Sequence, residues 1–199
     1  MLKQAIRFAS FAAAALLLQG CISAKSFVDP VLPKASKADV AAVASPQPVQ
    51  ALFEFRSKGV ANAAATQMLN DSVYGALRSS GIFSEVSTTP VTGGRRLVIT
   101  IDNVPITNDS DAMAKGFGTG LTFGLVGTMV TDGYACEATY TGANGEASKL
   151  SYRHAIHTTI GNASGPPGIE GKTPNEAAKD VASQIAWSVV RDLSKGGKL

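Results

Sequence analysis

Few residues in this chain are spaced for chemistry. His154 and His157 are the only histidines, three apart and followed by Thr158, Thr159 and Ile160. Those β-branched neighbours predict a strand, where alternation sends positions three apart to opposite faces, so the pair is poorly placed to share a metal ion. Cys136 could act as a nucleophile with one of them. Tyr134-Ala135-Cys136 reads as strand interior, however, where a thiol is buried and inert. Asn108-Asp109-Ser110-Asp111 lacks the glycine and distal glutamate of a calcium loop and suits the capping of the segment after it. Gly116-x-Gly118-x-Gly120 misses the dinucleotide fingerprint, its third glycine falling one residue early with no clear strand leading in. Phosphate loops and Gly-x-Ser-x-Gly elbows are absent. These patterns predict no catalytic residues, no metal and no cofactor.

The most unusual passage runs from Gly116 to Thr131, uncharged between Lys115 and Asp132. Gly116, Gly120 and Gly124 repeat every fourth residue, which on a helix would align them in one groove open to close backbone approach. At period two, Phe117, Leu121, Phe123 and Leu125 share one face instead, with Gly118, Gly120 and Gly124 opposite. Three readings stand open: a cover for the domain's own core, a segment dipping into a membrane leaflet, or a hairpin given to an oligomeric pore. As a helix it would span only about 24 Å, short of a ~30 Å hydrocarbon core. Its glycines weaken a helix by ~1 kcal/mol each relative to alanine. Shallow insertion therefore ranks above spanning, with Gly116, Phe117, Gly120, Leu121, Phe123, Gly124 and Leu125 as the candidate membrane or oligomer contacts.

The elements that would hold these residues are readable from periodicity. Leu52, Phe53 and Phe55 with Glu54 and Arg56 suggest a first strand, placing the start of the folded domain near Ala51. From Asn62 to Ser80, Ala65, Met68, Leu69, Val73, Ala76 and Leu77 form one helix face, closed by Gly81. Strands follow at Ile82 to Thr88, Arg95 to Asn103, Gly133 to Thr141 and Lys149 to Ile160, the last two joined by the turn Gly142-Ala143-Asn144-Gly145. Thr173-Pro174-Asn175-Glu176 is a capping box with proline at the first helical position. Ala178, Val181, Ala182, Ile185, Val189 and Leu193 form the stripe after it. The expectation is an α+β domain over residues 51–195: a single mixed β-sheet of about five strands with two amphipathic helices packed on one face.

The N-terminus carries an address. Lys3 and Arg7 precede an uncharged run from Phe8 to Leu18, the order of a secretory signal and too short to span a bilayer. Leu18-Gln19-Gly20-Cys21 then resembles the lipobox of bacterial lipoproteins, departing from the usual small residue only at Gln19. The resemblance implies that residues 1–20 are a signal peptide cleaved before Cys21, and that the Cys21 sulfur carries diacylglycerol and its new amine an acyl chain. Several chains at ~0.8 kcal/mol per buried methylene make such an anchor effectively permanent. With Ile22 rather than Asp after the cysteine, the enteric sorting rule implies the outer membrane, the domain facing the periplasm. The order of elements also resembles small periplasmic α+β lipoproteins, including the lipopolysaccharide-assembly type, in architecture only.

Composition narrows the partners. The formal charge of +3 loses Lys3 and Arg7 on processing, leaving 16 basic against 15 acidic residues, and Arg95-Arg96 is the one adjacent basic pair. Such a chain is no polyanion binder, so nucleic acid is not an expected partner. The membrane is one through Cys21, and an envelope protein or a second copy of the chain is the other. Residues 22–50, rich in Ala, Ser, Pro and Lys, read together with Cys21 as a tether over 21–50 reaching at most about 95 Å.

Overall fold

The computed structural model describes residues 24–30, 32–106, 129–161, 165–166, 168–196 and 199. Among them are seven strands: β1 (Ala24–Val28), β2 (Gln47–Ser57), β3 (Val60–Ala61), β4 (Phe83–Ser87), β5 (Arg96–Ile106), β6 (Met129–Thr141) and β7 (Ala147–Ile160). Two α-helices, α1 (Ala63–Ser80) and α2 (Pro174–Lys195), accompany them. One mixed sheet runs β1-β7-β6-β5-β2-β3, with β4 also on β2. The strand–helix–strand unit β2-α1-β4 is parallel, β2 and β5 are parallel, and the other pairs are antiparallel.

Local chemistry sets the helices as expected. The Asn62 side chain accepts from the Ala65 N–H at 3.0 Å, and Gly81 closes α1 in the left-handed conformation at φ 78°, which costs a glycine nothing sterically. Thr173 and Glu176 cap α2 reciprocally, with Pro174 at its start. Both helices lie on one face of the sheet. Leu69, Val73 and Leu77 of α1 and Val181, Ile185, Val189 and Leu193 of α2 share a core with Ala51, Leu97, Ile99, Ile101, Cys136, Ala138 and Tyr140. Each large apolar side chain so buried contributes about 1.5–3 kcal/mol. The opposite face is polar: Glu54, Thr100, Glu137 and Ser151 stand in one register row across β2, β5, β6 and β7.

Two expectations need correction. The sheet has seven strands rather than about five; the additions are β1 and the two-residue β3. Nor are residues 24–50 a free tether. β1 pairs with β7 over its whole length, Ala35 is buried, and Leu32, Val40 and Val43 pack against the core. The Ala41 N–H donates to Ser194 Oγ near the end of α2 at 2.9 Å. Strand β2 also begins at Gln47, before Ala51. Pro48, which has no N–H, falls where the β2–β4 register shifts between Gln47 and Val49, a place that tolerates it.

Candidate functional site

Strand β7 brings the two histidines to different faces, as their spacing requires. His154 points under α2 and is buried. Its Nδ1 accepts the Ala155 N–H at 2.9 Å, so Nε2 carries the proton and donates to Gln184 Oε1 at 2.9 Å. Burial outweighs these bonds and holds the imidazole below its ordinary pKa of 6.5. His157, also buried, faces away from the helices. Its Nε2 lies 3.0 Å from Asp29 Oδ2 and its Nδ1 lies 2.9 Å from Thr131 Oγ1.

This Asp29–His157–Thr131 series has the acid–base–hydroxyl order of a nucleophilic triad. It is enclosed, however: Asp29 and His157 are each 2% exposed and Thr131 8%. Its geometry joins three strands. Asp29 follows β1 and donates its N–H to the Ala155 carbonyl at 3.0 Å, His157 belongs to β7, and Thr131 to β6. Asp29 and His157 are 128 positions apart, so spacing could not reveal their meeting.

A cleft of about 480 Å³ opens where β1 ends beside α2. Asp29 and Gln184 both line it, so the partner of each histidine reaches the same space although the rings do not. Lys34, Lys172, Glu170 and Asp180 add mixed charge, and Val28, Leu32 and Ile169 an apolar floor. Lys172 pairs with Asp180, whose carboxylate raises the ammonium's pKa. Among the described residues its lining holds no serine, threonine or cysteine side chain.

Cys136 does not join a histidine. It stands in register with Tyr152 on the helix-covered face, while Tyr134 is the neighbour of His154. It is fully buried, and desolvation pushes its thiol up to about 12. Among the described residues no three His, Cys, Asp or Glu side chains converge as a metal site, and no helix is long and apolar enough to cross a membrane. Cys21, the Asn108–Asp111 stretch and the contacts Gly116, Phe117, Gly120, Leu121, Phe123, Gly124 and Leu125 lie outside the described residues. Met129, Val130 and Thr131, read from sequence as the end of that uncharged passage, are the first residues of β6.

No family model matches the sequence, and no curated protein does. Solved structures do. The rare lipoprotein B of Shewanella oneidensis matches at 10% identity over 74% of this chain and 93% of its own, with a TM-score of 0.34. A minor lipoprotein of Acinetobacter baumannii matches at 12% identity, covering 74% of this chain and 94% of its own, with a TM-score of 0.35. The PelC dodecamer of Paraburkholderia phytofirmans matches at 15% identity, covering 85% and 97%, with a TM-score of 0.33. The chain resembles small bacterial lipoproteins. At these scores the likeness transfers no residue roles.

Proposed function

We propose that this chain is an outer-membrane lipoprotein, cleaved before Cys21 and acylated there, whose α+β domain faces the periplasm and works by binding or assembly rather than catalysis. The observation that carries the reading is the lipobox Leu18-Gln19-Gly20-Cys21, with the first sheet strand starting three residues after it. The enclosure of Cys136, His154 and His157 supports a non-catalytic role. The working surfaces are then the cleft beside Asp29 and the outside of the sheet, with an envelope protein as partner. Replacing Cys21 with Ser tests the anchor. The variant should remain as unprocessed precursor, and normal membrane fractionation at the mature mass would overturn the assignment.

A second reading, self-assembly through a membrane-inserting segment, draws on one further observation. The chain leaves β5 at Ile106 and enters β6 at Met129, on the side of the sheet where β1 starts. The glycine-spaced passage 116–131 is therefore attached on the anchored side. Crosslinking of the native lipoprotein at natural abundance should then give oligomers; monomer alone would overturn this reading.

A further inference from the structure

We propose that the end of the sheet formed by the start of β1, the end of β7 and the start of β6 sits directly on the phospholipid leaflet that holds the anchor. This rests on acylation of Cys21. Ala24 is in register with Ile160, and Met129 with Thr159, so the three strand ends lie side by side within ~10 Å. Two residues separate Ala24 from Cys21, three Cα-to-Cα steps with a reach of at most about 10 Å. The headgroup zone is itself roughly 5–7 Å thick on each side of the hydrocarbon. Acyl chains on Cys21 therefore hold Ala24 at the membrane surface, unless β1 peels from the sheet.

Strand β1 is not built to peel. Five of its residues pair with β7, Ser26 and Lys172 exchange two backbone hydrogen bonds of 2.9 Å, and Asp29 grips His157. The surface presented at this end suits lipid. Val130 is 50% exposed and Ile160 47%, both on the same side of the sheet as Ala24. Lys25 is exposed beside them, a cation at headgroup level. Strand β7 runs away from this end for 14 residues, about 45 Å at ~3.3 Å each, to the turn containing Asn144. The domain stands on its β1 end with the β6–β7 turn farthest from the bilayer.

The test uses the full lipidated protein in phosphatidylethanolamine–phosphatidylglycerol vesicles, with an environment-sensitive fluorophore on Ile160→Cys, Val130→Cys or Asn144→Cys. All three positions are at the surface, and the native Cys136 is sealed. Headgroup-spin-labelled lipid should quench the labels at 160 and 130 and leave the label at 144 bright. Vesicle-bound protein in which 160 and 130 are as bright as 144 would overturn the seated orientation while sparing the anchor. Protein that fails to float with the vesicles would overturn the anchor, and the orientation with it.

Discussion

Replacing Asp29 with Ala should release β1 from the sheet, and the size of the effect follows from the burial of its partner. Asp29 and His157 are each 2% exposed, with Oδ2 3.0 Å from Nε2. Removing the carboxylate takes away the acceptor of a buried ring nitrogen. A buried polar group deprived of its partner costs about 1–3 kcal/mol, and more where the lost partner is a carboxylate. A loss of roughly 2–4 kcal/mol is expected, and at ~2–4 °C per kcal/mol for a chain of this size Tm should fall by roughly 4–16 °C. Amide exchange should rise first over Ala24–Val28, whose hydrogen bonds to β7 and Lys172 depend on the strand staying docked. Asp180→Ala is the matched control: its pair with Lys172 is more than a third exposed, so Tm should barely move. Thermal unfolding by circular dichroism with exchange mass spectrometry reads both. An Asp29→Ala protein that melts with the wild type and keeps β1 protected would refute the view of Asp29–His157–Thr131 as a three-strand clasp.

Three further outcomes are expected. Gly165→Ala should destabilise by about 1–3 kcal/mol in denaturant titration, because an added Cβ would meet the buried Phe27 ring at 2.0 Å; an unchanged midpoint would contradict that close approach. Cys136 should resist iodoacetamide in the folded protein and react fully after unfolding, since burial raises its pKa to about 12. His154 is neutral in the fold and its pKa lies below the unfolded 6.5, so the unfolded chain binds the extra proton as pH falls. Its contribution to stability is complete above about pH 6.5 and is lost as pH drops toward the folded pKa. A His154→Gln variant should therefore show a flatter Tm profile between about pH 7 and 5, and an unchanged slope would count against the assignment.

How much of this was legible depended on whether a local pattern carried it. Both helices announce themselves through stripes at three- and four-residue spacing and through Asn62, Gly81 and Thr173-Pro174-Asn175-Glu176, because caps and faces are set within one or two turns. The five long or well-bounded strands alternate, and the odd spacing of His154 and His157 already sends them apart. Strand β1 escaped because Ala24-Lys25-Ser26-Phe27-Val28 has no alternation of its own. Its pairing is supplied by β7, more than a hundred residues later, and by Lys172. The packing of Leu32, Val40 and Val43 escaped for a related reason, since single apolar residues between prolines have no period. Asp29, His157 and Thr131 meet only through the order β1-β7-β6, which no local signal encodes. The likeness of Leu18-Gln19-Gly20-Cys21 to a lipobox is legible without any fold, because such a motif is read as sequence.

The most direct measurement is the mass of the N-terminal peptide from protein extracted out of washed outer membranes. The account predicts a peptide that begins at Cys21 and carries a diacylglyceryl thioether and an N-acyl chain. A soluble protein whose peptide begins at Met1 or Leu2, with an unmodified Cys21 thiol, would contradict it.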